Sequence, residues 1–150
     1  MDYKDVFYAK LENICCVNDL WRLSGMAPRV LYIEDSIDNL VLVRRILRAA
    51  GFELLEATSA REGIALAEQQ IPDLILMDIN MPEMDGLEAT IRLRENHALD
   101  LVPIVALTAN VMHQVLQKAL NVGCDGYIAK PVTVDELPDQ IMSFLKNGRR

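Results

Sequence analysis

The sequence predicts an α/β protein, a doubly wound parallel sheet of five βα units. Three observations carry that prediction. From residue 29 onward, short apolar segments alternate five times with segments of helical period. The first, third and fourth apolar segments are nearly free of polar residues, the pattern of strands covered by helices on both faces. The helical segments also carry start and stop signals in the right places.

The elements follow in order. The first strand, Val30–Ile33, leads into a helix with Leu40, Val43, Leu47 and Ala50 at three-to-four spacing and Gly51 beyond its end. The second strand, Glu53–Ala57, precedes Ser59-Ala60-Arg61-Glu62, a capping box. Gly63 inside that helix has no evident purpose. The third strand is Leu74–Met77, and its helix follows Gly86 with Leu87 and Ile91 as inward residues. The fourth strand, Ile104–Leu107, precedes a helix with Met112, Val115, Leu116, Ala119 and Leu120 on one face, stopped by Gly123. The fifth strand is Gly126–Ala129. Its helix is expected to start near Thr133 or a residue or two later, because Pro138 removes a donor, and to bury Ile141 and Leu145. Alternating β and α segments imply right-handed crossovers. Five of them suggest the flavodoxin-like strand order 2-1-3-4-5, in which the C-terminal ends of strands 1 and 3 flank a crevice.

Composition narrows the function. About half of the 150 residues are hydrophobic (51%), which argues against disorder. A net charge of −7 disfavours a phosphate-driven grip on nucleic acid. Cys15, Cys16 and Cys124 form neither a disulfide framework nor a zinc motif, so a reducing cytoplasm is expected. No apolar run approaches the ~20 residues that span a bilayer. The acidic N-terminus lacks the apolar stretch of a secretory signal. Residues 1–28 stand outside the βα pattern as an N-terminal extension, although Phe7, Leu11, Ile14, Val17 and Trp21 could line one helix face. Residues 29–146 form the expected domain, and 147–150 a tail.

Chemistry concentrates just after the strands. Glu34-Asp35 follows the first, Asp78-Ile79-Asn80 the third, Thr108 the fourth and Lys130-Pro131 the fifth. The predicted topology gathers three carboxylates, a hydroxyl and an ammonium at one edge of the sheet. Each carboxylate pair at about 4 Å would cost roughly 4 kcal/mol at an effective dielectric of 20. Lys130 supplies one compensating charge, and a divalent cation would supply the rest. The donors are all oxygens, which suits Mg²⁺. His97 and His113 read as surface residues, and Arg44, Arg45 and Arg48 as a solvated basic face of the first helix.

This constellation resembles the receiver domains of two-component signalling. Asp-Ile-Asn-Met-Pro-Glu-Met-Asp-Gly (78–86) is similar to the family's phosphorylation loop, and Gly-Cys-Asp-Gly-Tyr-Ile-Ala-Lys-Pro (123–131) to its last strand and loop. The resemblance covers about four-fifths of the chain. It implies that Asp78 is the phosphoacceptor. It further implies that Asp35, Asp78 and the backbone carbonyl of Asn80 ligate Mg²⁺, with Glu34 helping through a water, where the family often has Asp. Lys130 and Thr108 would contact the phosphoryl group, and Tyr127 sits at the aromatic switch position. Small Ala109 would leave the phosphoryl site open to a partner.

The function expected is that of a stand-alone response-regulator receiver rather than an enzyme with its own substrate. A histidine kinase or a histidine phosphotransfer protein would donate the phosphoryl group. A downstream partner protein would read the outcome, with no nucleic acid or membrane contact. Two alternative readings stand beside it. One is a Mg²⁺-dependent aspartyl-phosphate phosphatase of the haloacid-dehalogenase type. In those enzymes the nucleophile follows the first strand in an Asp-x-Asp pattern, whereas here it follows the third and position 80 is Asn. The other is a receiver cut from a hybrid histidine kinase.

Overall fold

A computed structural model describes residues 25–148. Its strands are β1 (Arg29–Ile33), β2 (Glu53–Ala57), β3 (Leu74–Asp78), β4 (Ile104–Thr108) and β5 (Gly126–Ala129). Its helices are α1 (Ile37–Ala49), α2 (Ala60–Gln69), α3 (Gly86–Arg94), α4 (His113–Val122) and α5 (Leu137–Asn147), with one 3₁₀ turn at His97–Leu99. The sheet is parallel in the order β2-β1-β3-β4-β5, as predicted. The Phe7–Trp21 stripe lies outside the described residues. Among those described, no helix is long and apolar enough to cross a membrane.

Strand side chains alternate between faces, so each central strand feeds two cores. Leu31, Ile33, Ile75, Met77, Ile104 and Ala106 pack under α2, α3 and α4. Val30, Tyr32, Leu74, Leu76, Val105, Leu107 and Ile128 pack under α1 and α5 with Leu47 and Ile141. Burial on both faces is why β3 and β4 read as unbroken apolar runs.

The helix signals act as expected. Ser36 and Ser59 cap α1 and α2 by accepting from Asn39 N–H and Glu62 N–H. The Glu62 carboxylate accepts in return from Thr58 N–H, one residue before the cap. Gly123 closes α4 in the left-handed region, at φ 116°.

Several sequence readings are corrected. β3 and β4 each run one residue further, so Asp78 and Thr108 are the last rungs of the ladder rather than loop residues. α5 starts at Leu137, later than expected. Pro138 then falls in the first turn, where its missing donor costs nothing. α5 also runs to Asn147, one residue beyond the predicted domain end. On α3 the inward residues are Gly86, Ala89, Thr90 and Leu93, and Ile91 faces outward. On α4 only Ala119 is fully buried, while Met112 and Leu120 are exposed. Arg44 is not merely solvated: its guanidinium is paired with Glu56 on β2, at 2.6 Å for one contact. Gly63 has a purpose after all. A Cβ there would lie 2.3 Å from Ile33 Cδ1, so the glycine lets α2 approach β1.

Candidate functional site

The C-terminal ends of β1, β3 and β5 bring Glu34, Asp35, Asp78 and Lys130 together. Among the described residues, the buried charged or polar ones are Glu34, Asp78 and Thr108, with Thr90 on α3. Carboxylate oxygens of Glu34, Asp35 and Asp78 all lie within 4.8 Å of one another. Lys130 enters from β5 and bridges two of them, with Nζ donating to Glu34 Oε2 at 3.0 Å and to Asp78 Oδ1 at 3.1 Å. Asp35 is exposed at the rim.

Local structure holds each group. Ser36 begins α1 directly after the acidic pair, and its backbone N–H donates to Glu34 Oε1 at 3.3 Å. The N–H of Asn80 donates to Asp78 Oδ1 at 3.2 Å, fixing the acceptor carboxylate to its own loop. Behind that loop stands Gly86, where a Cβ would lie 2.3 Å from the Asp78 carbonyl oxygen. No other residue allows that approach. The peptide before Pro131 is cis, and Lys130 N–H donates to Thr108 carbonyl oxygen at 2.8 Å.

Sequence reasoning missed Tyr32. Its hydroxyl donates to Glu34 Oε2 at 2.9 Å, on the same oxygen that Lys130 uses, and the residue is 1% exposed. A signal was available: Tyr32 precedes Glu34 by two, which places both on one face of β1. The same alternation puts Leu76 and Asp78, and Ile128 and Lys130, on that face. Thr108 instead continues the opposite row, after Ile104 and Ala106.

The electrostatics follow from this packing. Burial raises the Asp78 pKa, the neighbouring Glu34 adds to the rise, and Lys130 only partly offsets it, leaving Asp78 pushed up to about 6. Burial would raise Glu34 too, but hydrogen bonds from Asp78, Lys130 and Tyr32 outweigh it and its pKa falls. The extra proton of the pair therefore settles on Asp78. Burial alone would lower Lys130, yet its two carboxylate partners raise it, so it stays charged.

With every group ionised, three carboxylates face one ammonium. The residues present fit a hard divalent cation: all the donors are oxygens, one carboxylate is at the rim, and negative charge is in excess. Two predicted residues stand apart from the cluster. The Thr108 hydroxyl is turned to its own loop, donating to Asn110 carbonyl oxygen and accepting from Asn110 N–H, each at 3.0 Å. Tyr127 lies on β5 opposite Ala106, 45% exposed. His97 and His113 are exposed. A groove of about 240 Å³ opens beside the site, with Tyr32, Val43, Ala109, Lys130 and Val132 among its walls.

Comparison with known proteins places this arrangement in a family. Residues 30–142 match the response regulator receiver domain. The chain is similar to the polar-differentiation response regulator DivK of Brucella ovis, 38% identical over 120 residues that take in 80% of this chain and 98% of the relative. It is also similar in structure to the chemotaxis protein CheY4 of Vibrio cholerae, with a TM-score of 0.75, 32% identity, and coverage of 79% of this chain and 98% of that one. A third likeness is to the receiver domain of the sensor histidine kinase PA1611 of Pseudomonas aeruginosa, at a TM-score of 0.74 and 31% identity, covering 80% of this chain and 98% of that one. That structure has a magnesium ion coordinated in its active-site cleft.

Proposed function

This chain belongs to the response-regulator receiver family, and on that premise we propose that Asp78 accepts a phosphoryl group from a phosphohistidine on a histidine kinase or a histidine phosphotransfer protein. The observation that supports it best is Lys130 bridging Glu34 and Asp78 inside a cluster with excess negative charge. Such a cluster is a poor way to stabilise a fold and a good way to hold a cation and then a phosphoryl group.

The Asp78 carboxylate attacks phosphorus, forming the O–P bond as the N–P bond to the donor imidazole breaks. Asn80 N–H and Lys130 orient the carboxylate for that attack. Asp35, Asp78 and the Asn80 carbonyl would hold Mg²⁺, with Glu34 reaching it through a water. The bound ion supplies positive charge against the phosphoryl oxygens. Lys130 shifts from the carboxylates to the phosphoryl group. Ala109 and the groove beside it leave a path for the donor.

The added charge is then read through Thr108. Its hydroxyl leaves Asn110 for the phosphoryl oxygens, the β4–α4 loop follows, and Tyr127 turns from solvent into the space released. A partner protein senses the face of α4, β5 and α5. The domain responsible is assigned to residues 29–146, with 1–28 as an extension of which the segment before Met26 is dispensable for phosphorylation. The site acts in the cytoplasm, where phosphodonor proteins meet it.

Incubation with acetyl phosphate and Mg²⁺ should add one phosphoryl group, seen by intact-mass spectrometry, and Asp78→Asn should abolish it. Equal labelling of the variant would refute the assignment.

A further inference from the structure

We propose that Tyr32 is a positioning residue that partners Glu34 when Lys130 leaves it for the phosphoryl group. The inference rests on the reading of Asp78 as phosphoacceptor and concerns how that chemistry is made possible in a buried site.

Glu34 is 1% exposed, so bulk water cannot replace a lost partner. Besides Asp78, whose carboxyl cannot donate once it is phosphorylated, three donors reach it: Lys130 Nζ and the Tyr32 hydroxyl on Oε2, and Ser36 N–H on Oε1. The Ser36 contact is the longest, at 3.3 Å. Phosphorylation draws Lys130 toward new oxygens. Without the Tyr32 hydroxyl, Glu34 would then keep the Ser36 N–H and the water proposed to link it to Mg²⁺, with no side-chain donor left on Oε2, and removing a partner from a buried charge is heavily penalised. With it, Oε2 keeps a short hydrogen bond throughout, and Lys130 is free to move.

Tyr32 is suited to this task. Its ring is packed in the core under α1 and α5, which holds the hydroxyl in place. Its pKa is raised, by burial first and by Glu34 second. Before phosphorylation the hydroxyl is one of two donors on Oε2, so its loss is largely covered by Lys130. Its contribution is therefore concentrated in the phosphoryl-bound state.

The test separates the two states by calorimetric titration, first with Mg²⁺ alone and then with beryllofluoride in saturating Mg²⁺. Tyr32→Phe should leave the Mg²⁺ affinity within about twofold and weaken beryllofluoride binding about tenfold, the consequence of ~1.4 kcal/mol of lost partnering. In a Glu34→Gln background, where no charge is stranded, Tyr32→Phe should change beryllofluoride binding by less than about twofold. The proposal is overturned if Tyr32→Phe binds beryllofluoride like wild type. It is also overturned if the variant weakens both ligands equally, or if its effect persists in the Glu34→Gln background. Wild-type protein that takes up no beryllofluoride, or an Asp78→Asn variant that takes it up normally, would instead bring down the phosphoacceptor reading itself.

Discussion

At the N-terminal edge of the sheet, Arg94 is almost enclosed and every arm of its guanidinium is used. It donates to the carbonyl oxygens of Gly123, Leu99 and Val102 at 3.1, 2.9 and 2.9 Å, and to Asp125 Oδ2 at 2.8 Å. Asp125 also accepts from Ile104 N–H. The cation is paired with Asp125, and backbone carbonyls take its other donors. At the C-terminal edge, Lys130 bridges two buried carboxylates, and the exposed Asp35 carboxylate is a third in the same cluster. The first cluster pairs its cation with a carboxylate and is tied into five segments of chain. The second has charge to spare and one carboxylate at the rim. A satisfied buried ion pair resists change, whereas an over-charged one is poised to take a ligand.

The largest effect is expected where the network is complete. Arg94→Met should leave Asp125 without its cation and three carbonyls without their donor, lowering stability by about 3–5 kcal/mol in urea denaturation. The folded fraction should still be phosphorylated. A loss under 1 kcal/mol would mean that the N-terminal cluster is no tighter than the site.

The opposite sign is expected at the other edge. Asp78→Asn removes one of the mutually repelling carboxylates and should raise the stability of the metal-free protein by about 1–2 kcal/mol, while abolishing Mg²⁺ binding. Destabilisation by this variant would show that both clusters serve the fold alike.

Proton competition sharpens the contrast. With Asp78 pushed up to about 6, its carboxyl is protonated below that pH and must ionise before it can ligate a cation. Apparent Mg²⁺ affinity should fall as pH drops through 6, by at most about tenfold per unit, or 1.4 kcal/mol. The linkage to stability has the same origin: a carboxyl raised in the folded state withdraws stability as pH rises from about 4 to about 6. Glu34, lowered in the fold, works the other way. Flat Mg²⁺ titrations between pH 5 and 7 would place the proton elsewhere.

The smallest effect concerns the glycine beside the structural cluster. Gly123 has φ 116°, and a Cβ there would lie 2.8 Å from Arg94 Cγ. Gly123→Ala should cost about 1 kcal/mol, with phosphorylation unchanged. A change in phosphorylation rate without a loss in melting temperature would show that the two edges communicate.

The sequence alone determined the five βα units, their parallel order and the meeting of Glu34, Asp35, Asp78 and Lys130 at one edge of the sheet. It could do so because hydrophobic period and capping are local, and because an open α/β sheet always delivers the C-terminal ends of its strands to one crevice. Helix faces were less legible. Ile91 and Met112 looked inward by spacing alone, since periodicity cannot tell a core contact from an apolar residue left on the surface. Arg44 looked solvated because its partner, Glu56, sits on another element. Only the tertiary structure decided that Gly63 is where α2 meets Ile33, that Arg94 is a buried tie, and that Tyr32 belongs to the site. Each of these depends on which side chain comes within a few ångströms of another across the sheet, a distance that no single segment encodes.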